Sequence, residues 1–376
     1  MQRYWVWFSL LKGISRKNKD MLLELCSDPE QLYRSGILPN GTPIDPDLSE
    51  AEQVVNVCNR KGIRIIPIND PYYPEPLRQI PDAPFVIYCR GVLPNLDDRI
   101  PIGVVGTRRS TDYGMTVTDQ ISRELVRDGG MIISGGAAGI DTAALWASLR
   151  EGVPTVAVLG CGVDVTYPTT NRKLFMEIEQ NGCILSEYTP GTRPTKWSFP
   201  ARNRIISGLS KGTLVIEAPV GSGALITAKD AAKQGRPVFV VPGNINMESC
   251  AGSNQLLKEG AQAVFSGADI LNFFTGKRTP SRKKTPAVEK KIPAEPKKVI
   301  DNPAPKPYIE LAKEPDDLTE EERHLLSFVG TRPMSVDDLI AASGVKTSDA
   351  LALLTMLTLR GLIMEHPGRL ISRKLR

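Results

Sequence analysis

Six short runs of aliphatic and β-branched residues, separated by glycine-containing loops and helical segments, constrain the fold of this chain more than any other feature. The runs are Ile102–Val105, Met131–Ser134, Thr155–Leu159, Cys183–Ser186, Thr213–Ile216 and Val238–Val241. Each run is continuously apolar, as a strand covered by helices on both faces must be. Strands that alternate with helices in this way predict an α/β fold with a doubly wound, mostly parallel sheet and right-handed crossovers.

Three further segments flank this sheet. We expect a small helical domain over residues 1–65, the α/β domain over 66–276, a basic linker over 277–316 and a winged-helix-like module over 317–376. The linker is predicted from composition, because residues 277–313 hold seven prolines and few large apolar side chains that could be buried. The final segment predicts three helices and then two strands, at Glu320–Phe328, Val336–Ala342, Ser348–Arg360, Gly361–Met364 and Arg369–Ser372.

Positive charge is concentrated in the predicted linker. Between Lys277 and Lys313 there are 11 Lys or Arg and 4 Asp or Glu, a net charge of +7, whereas the whole chain carries only +5. The remaining residues therefore sum to −2 (+5 minus +7), so any face that binds a polyanion in the folded part must be local. The helix at Ser348–Arg360 is mostly apolar, which favours a protein-interaction or weak DNA role for the last module.

Several classes of chemistry lack their usual residues in the α/β domain. The only histidines are His324 and His366, so no histidine can act there as a base or a metal ligand. The chain has no Walker lysine motif, no GxSxG elbow and no CxxC pair among its six cysteines. We therefore predict no catalytic residue, no metal and no cofactor, and we expect reduced thiols. Without a signal peptide or an apolar run long enough to span a membrane, the expected location is the cytoplasm, with no membrane attachment.

The loop after the first run has the composition of a phosphate site. It consists of Gly106, Thr107, Arg108, Arg109 and Ser110, and a helix is expected directly after it. Glycine allows close approach of the backbone, hydroxyl and main-chain N–H groups donate hydrogen bonds, and a guanidinium group can bind a phosphate bidentately. The alternative is a tight turn that carries surface arginines.

A second loop of small residues follows the second run. Ser134, Gly135 and Gly136 begin this loop, which ends at Asp141. It is similar to the dinucleotide motif GxGxxG, but it follows the second strand and lacks an acidic residue about 20 positions later, so NAD is disfavoured. Ligands of open α/β sheets bind beyond the carboxyl ends of the strands, so we expect the two loops to form one anion site.

A basic and aromatic segment lies between the fourth and fifth runs. Around Trp197 it holds five candidate DNA-binding residues, Lys196, Phe199, Arg202, Asn203 and Arg204. Cations follow a phosphodiester backbone, and exposed aromatic faces stack on bases. The alternative is that the aromatic side chains are core residues and that the arginines extend along the surface from a helix start. We expect one of the two aromatic side chains to be buried.

A further glycine loop follows the fifth run. Ser222 and Gly223 open a helix there and are candidates for the same site, although close packing of strand and helix would explain the glycine equally well. We expect Glu217, at the end of this run, to be a structural hydrogen-bond acceptor rather than a base.

Six motifs, in this order along the chain, resemble those of the DprA/Smf family of DNA-processing proteins. They are Gly106–Arg108 with Tyr113 and Gly114, Ser134–Asp141, Asp164–Pro168 with Asn171, Ser186–Tyr188, Phe199–Leu209 and Val241–Gly243. The match is dense over residues 65–275. The resemblance implies an extended Rossmann domain, an N-terminal helical domain of the sterile-alpha-motif or helix–hairpin–helix type, and a C-terminal winged helix.

The resemblance also implies a function. It implies a homodimer that binds single-stranded DNA, interacts with single-strand-binding protein and loads the RecA recombinase during natural transformation. By position, Arg108 corresponds to the family's phosphate-binding arginine, and Lys196 and Phe199 correspond to its groove residues. Ser134–Gly136 matches its phosphate-binding loop. The expected function is therefore protection of incoming single-stranded DNA and recombinase loading, without catalysis.

Two other functions stay open at this point. The domain also resembles the nucleotide phosphoribohydrolases of the lysine-decarboxylase-like group, whose PGGxGTxxE loop carries a reactive glutamate. The corresponding stretch here, Gly221–Ala228, is not followed by a glutamate. A sensor of a small nucleotide could use the same glycine loops.

Overall fold

The computed structural model describes residues 1–26, 28–38, 43–276, 318–330, 334–366 and 370–373. The residues on the two sides of 277–317 form two units, which are described separately. The predicted linker over 277–316 lies outside the described residues, so it stays a prediction.

Within residues 43–276, nine strands form one sheet. They are β1 Arg64–Pro67, β2 Val86–Gly91, β3 Ile100–Val105, β4 Gly130–Ser134, β5 Thr155–Leu159, β6 Gly182–Ser186, β7 Gly212–Val215, β8 Val238–Val240 and β9 Gln262–Ala263. Their order across the sheet is β1-β2-β6-β5-β4-β3-β7-β8-β9. The pairs β1–β2 and β2–β6 are antiparallel, and the other pairs are parallel. The predicted doubly wound, mostly parallel, Rossmann-like sheet is confirmed.

Helices cover both faces of the sheet. Those described in the first unit are α1 Gln2–Leu10, α2 Arg16–Cys26, α3 Pro29–Ser35, α4 Ser49–Lys61, α5 Glu75–Arg78, α6 Asp112–Arg127, α7 Ile140–Arg150, α8 Arg172–Gln180, α9 Ser198–Leu209, α10 Gly223–Lys233, α11 Glu248–Lys258 and α12 Gly267–Thr275. Alternate strand residues enter two separate cores. Val104 and Ile132 pack with α6 and α7, whereas Val105 and Ile133 pack with α9 and α10. Burial of both faces explains why the strand sequences are continuously apolar.

The N-terminal helices share a core with the sheet. Trp5 and Phe8 of α1 are buried, and the Phe8 ring contacts the Phe85 ring edge-on at a centroid distance of 5.1 Å. After α4 the chain enters β1, which pairs with β2 at the edge of the sheet. A domain boundary at residue 65, and the sterile-alpha-motif or helix–hairpin–helix type of this segment, stay predictions.

The second unit is a small helical module with a three-stranded sheet. Its elements are α13 Glu320–Ser327, β10 Met334–Ser335, α14 Val336–Ser343, α15 Thr347–Leu359, β11 Ile363–His366 and β12 Leu370–Arg373, with the strand order β10-β12-β11. The predicted winged-helix arrangement is confirmed. Leu354 and Leu357 of α15 are buried, whereas Leu351 and Leu359 are exposed. In the described parts of the chain no single helix is long and apolar enough to cross a membrane, although α14 and α15, taken together as a bent pair, pass that test of length and composition.

Candidate nucleic-acid interface

A cavity of about 660 Å³, called the rim cavity below, lies beyond the carboxyl ends of β3 and β7. The strand order reverses between these two strands, since β4, β5 and β6 extend the sheet from β3 and β8 and β9 extend it from β7. Ligands of open α/β sheets bind at such a switch point. Ten of the predicted site residues line the rim cavity, namely Gly106, Thr107, Arg108, Arg109, Lys196, Phe199, Arg202, Asn203, Ser222 and Gly223.

The loop after β3 is held by the end of β7. The Thr107 N–H donates to the Glu217 carbonyl at 2.7 Å, and the Thr111 N–H donates to Glu217 Oε2 at 3.0 Å. Thr111 also caps α6 by accepting a hydrogen bond from the Gly114 N–H at 3.1 Å. Glu217 is therefore a structural acceptor, as expected, and it is fully buried. Ser110 lies in this loop but outside the lining of the rim cavity.

The first residues of the loop after β4 are buried and not exposed at the surface. The Ser134 hydroxyl donates to the Val104 carbonyl at 2.6 Å, which ties β4 to β3. A Cβ atom on Gly135 would lie 2.6 Å from Asp141 Oδ2 and 2.7 Å from Arg202 Nη2. Gly136 has a φ of +64°, a conformation that glycine adopts without strain. Ser134, Gly135 and Gly136 thus shape the site from beneath and do not line the rim cavity.

Arg202 and Asp141 form the polar floor of the rim cavity. Arg202 is 4% exposed, and its Nη1 donates to the carbonyl oxygens of Gly135 and Val158. Burial lowers the pKa of Arg202 to about 10, so the guanidinium group stays protonated at neutral pH. Burial raises the pKa of Asp141 to about 6, and the positive charge of Arg202 opposes that shift.

Three exposed cations surround this floor. Arg108, Arg109 and Lys196 are exposed, line the rim cavity and have no ion-pair partner among the described residues. The Arg108 guanidinium carbon lies 4.8 Å from the centroid of the Phe199 ring. The Lys196 ammonium lies 5.0 Å from the centroid of the Trp197 ring. The structure therefore brings the cations of two separate sequence segments to one rim.

The aromatic side chains of this segment are more accessible than expected. Trp197 is 74% exposed and Phe199 is half-buried, so the prediction that one of them is a buried core residue is wrong. The reason is that α9 begins at Ser198, and its inward face is formed further along by residues such as Ile205 and Ile206. The Trp197 ring is therefore accessible for stacking, whereas the Phe199 ring already contacts Arg108 and Tyr167.

Three other predicted site residues, Arg204, Asn203 and Ser222, form hydrogen bonds within the protein. Arg204 points to Glu187, with Nη2 at 2.8 and 2.9 Å from the two carboxylate oxygens, and does not line the rim cavity. Asn203 Nδ2 donates to the Gly223 carbonyl at 3.1 Å and so joins α9 to α10. Ser222 caps α10 by accepting a hydrogen bond from the Ala224 N–H at 3.3 Å.

Sequence reasoning misses Tyr167 as a site residue. Tyr167 is 41% exposed, and its ring lies against the Phe199 ring at a centroid distance of 5.4 Å. The signal that could have found it is an aromatic residue in the polar loop after β5, the strand next to β4. Among the described residues, no three His, Cys, Asp or Glu side chains cluster as metal ligands would.

Comparison with known proteins assigns the family. The family model of DNA recombination-mediator protein A matches residues 64–275, which is more than half of the chain. The model of the DprA winged helix domain matches residues 310–369. A protein Smf from Synechocystis sp. is 36% identical over 404 aligned residues, which cover 99% of this chain and 99% of that protein.

Two solved structures are similar over nearly their whole length. The X-ray structure of DNA processing protein A from Streptococcus pneumoniae has a TM-score of 0.62 and 34% identity, and the match covers 72% of this chain and 97% of that one. DNA processing protein A from Helicobacter pylori, solved for its single-stranded DNA binding mode, has a TM-score of 0.52 and 35% identity, with 57% and 96% covered. The sheet, the winged helix and these matches agree: this chain belongs to the DNA recombination-mediator protein A family, also called DprA or Smf.

Proposed function

We propose that this chain binds single-stranded DNA in the rim cavity and does not cleave it. The observation that carries the proposal is the convergence of Arg108, Arg109 and Lys196, all exposed and without an ion-pair partner in the described residues, on one cavity at the switch point. Cations in such a groove attract phosphate groups and release their counterions. The single-stranded DNA binding of the Helicobacter pylori relative supports this choice of ligand.

The aromatic side chains favour a single strand over a duplex. Trp197 and Phe199 contact the cations Lys196 and Arg108, and Trp197 is 74% exposed. A base can stack on such a ring only if it is not already stacked within a duplex, and each stacked base contributes about 1–3 kcal/mol. Binding through backbone charge and stacking is largely independent of sequence, as a protein that accepts any incoming strand requires.

The rim cavity offers little that could cleave DNA. Asp141 is the only carboxylate among the residues that line it, and this carboxylate is 6% exposed beside Arg202. The sequence has no histidine before His324. A general base must reach the proton that it removes, and a carboxylate beneath the cavity floor is poorly placed for that role. These features support holding of the strand without catalysis.

We further propose that the bound strand is protected and passed to a recombinase in the cytoplasm. On this proposal the chain acts as a homodimer, works with single-strand-binding protein and loads RecA during natural transformation and recombination. Membership of the DprA family supports these partners. A cavity that binds the DNA backbone at only a few phosphates leaves the flanking bases accessible to the recombinase.

The direct test is a fluorescence anisotropy titration with a labelled oligothymidylate. We expect Arg108→Ala and Lys196→Ala each to weaken binding by about tenfold or more, because each removes one charge-assisted contact. Lys211→Ala is the matched control, since Lys211 is an exposed lysine that precedes β7, at the opposite end of this strand from the rim cavity. If Arg108→Ala and Lys196→Ala bind the oligothymidylate as tightly as wild type and Lys211→Ala do, the rim cavity does not bind DNA.

A small nucleotide is the second candidate ligand. The rim cavity, at about 660 Å³, falls within the range of about 300–1,000 Å³ that is typical of small-molecule pockets. Isothermal titration calorimetry with nucleoside monophosphates separates this reading from DNA binding. Tight mononucleotide binding that a single strand does not displace would favour a sensor, and release of free base would favour an enzyme.

A further inference from the structure

A second and larger cavity lies beside α8. It has a volume of about 760 Å³, is called the α8 cavity below, and is separate from the rim cavity. Residues from three parts of the chain line it: Arg90 on β2, Thr166 and Thr169 in the loop after β5, and Arg172 and Phe175 on α8. Neither the resemblance of the sequence nor the predicted site residues assign any role to this cavity.

Neighbouring residues link the two cavities. Arg108 and Phe199 line the rim cavity and also a smaller space of about 120 Å³, which Tyr167 and Pro168 share. Tyr167 follows Thr166 directly, and Thr166 lines the α8 cavity. The Tyr167 and Phe199 rings are 5.4 Å apart at an interplanar angle of 31°. The order Phe199, Tyr167, Thr166 thus leads from the rim cavity towards the α8 cavity.

The α8 cavity presents the groups that a phosphodiester needs. Arg172 is exposed, and its side chain has no hydrogen bond or ion pair among the described residues. The hydroxyl-bearing residues Thr166 and Thr169 are exposed beside it. Arg90 is the second cation in the lining, and it is paired with Glu179 at 2.8 Å. The lining therefore carries two positive charges and one negative charge, which leaves the charge of Arg172 uncompensated.

Asp164, in the loop between β5 and α8, is already paired with other groups of the protein. Asp164 is 7% exposed, and its carboxylate contacts the Lys61 ammonium at 2.5 Å and the Gly191 N–H at 2.7 Å. It is also absent from the lining of the α8 cavity. A phosphate beside Arg172 would thus meet no unpaired carboxylate in this loop.

We propose that a longer single strand continues from the rim cavity over Tyr167 and that Arg172 binds a following phosphate in the α8 cavity. The chain then holds one strand at two successive subsites, with the accessible Tyr167 ring as a stacking surface between them. This inference rests on the proposed function, because the strand must first occupy the rim cavity. It adds a phosphate subsite and extends the footprint of each chain on DNA.

The test compares oligothymidylates of two lengths, about 4 and about 12 nucleotides, which differ in whether the strand can reach past the rim cavity. We expect Arg172→Ala to weaken binding of the longer strand by about tenfold, and to leave binding of the shorter strand unchanged. The slope of log K against log salt for the longer strand should also become shallower by about 0.7, the contribution of one phosphate contact. Arg172→Lys should restore most of the slope, because it keeps the charge.

Lys173→Ala is the matched control. Lys173 is the next residue on α8, is also exposed and does not line the cavity, so we expect wild-type binding at both lengths. If Arg172→Ala binds the longer strand like wild type while Arg108→Ala loses both lengths, the subsite is wrong and the proposed function stands. If Arg172→Ala weakens both lengths equally, the two subsites are not separate and the inference fails. Wild-type protein that binds neither length would overturn both.

Discussion

At the scale of single residues, burial divides the cations of the site into two kinds. Arg202 is 4% exposed and donates hydrogen bonds to the carbonyl oxygens of Gly135 and Val158, so it joins α9 to the loop after β4 and to β5. Arg108 and Lys196 are exposed at the rim. The sequence places Lys196, Arg202 and Arg204 in one basic segment, and only tertiary partners separate their roles, since Arg204 pairs with Glu187 from a different part of the chain.

Asp141 should make DNA affinity depend on pH. Burial raises its pKa from 3.8 to about 6, so the carboxyl group is ionised above pH 6 and neutral below it. Protonation removes the negative charge of the only carboxylate that lines the rim cavity. We therefore expect affinity for single-stranded DNA to rise as the pH falls from about 7.5 to about 5.5.

The matching variant is Asp141→Asn, measured by anisotropy across the same pH range. The sequence has no histidine before His324, so no imidazole in the α/β domain titrates there. We expect the variant to bind at about pH 7.5 as tightly as wild type binds at about pH 5.5, with a flat profile. A variant that keeps the wild-type pH dependence would exclude Asp141 as its source.

At the scale of elements, the apolar runs locate the parallel strands well. Each of β3 to β8 lies within two residues of its predicted bounds, because burial on both faces requires an uninterrupted apolar run. The strand at the edge of the sheet is harder to predict from the sequence. β1 is a four-residue strand that begins with Arg64 and ends with Pro67, and only its pairing with β2 identifies it. The segment before α9 lies outside the sheet, where periodicity gives no information about whether Trp197 is buried.

The tight turn after β3 should tolerate no side chain at Gly106. A Cβ atom there would lie 2.5 Å from Ile140 Cγ1 at the start of α7, so Gly106→Ala must displace either the loop or the helix. We expect the free energy of unfolding in urea to fall by about 1–3 kcal/mol, as for other overpacked sites. DNA binding should also weaken, because the same loop carries Arg108.

Gly223→Ala is the control for this substitution. A Cβ atom on Gly223 would have no neighbour within 4 Å, although this glycine also opens a helix after a strand. Its unfolding free energy should stay within about 0.5 kcal/mol of wild type. If the two variants are equally stable, close packing against Ile140 is not the reason that position 106 requires glycine.

At the scale of the whole molecule, the DNA binding proposed for the α/β domain depends on a small patch of cations and not on overall charge. The chain carries a net charge of +5, and residues 277–313 contribute +7 of it, which leaves −2 for the rest. The order of an α/β domain and a winged helix follows from the sequence, because each has its own pattern of apolar residues. The arrangement of the site does not follow from the sequence, since the loops after β3, β4 and β7 meet α9 only after the sheet has formed.

The salt dependence of single-stranded DNA binding tests the central claim most directly. Each neutralised phosphate on a single strand contributes about −0.7 to the slope of log K against log salt, so three rim cations predict a slope of about −2 for a short strand. We expect the double variant Arg108→Ala, Lys196→Ala to lose about 1.4 of that slope, and Lys211→Ala to keep all of it. A double variant with the wild-type slope, or wild-type binding that does not respond to salt, would contradict a phosphate site at the rim of the sheet.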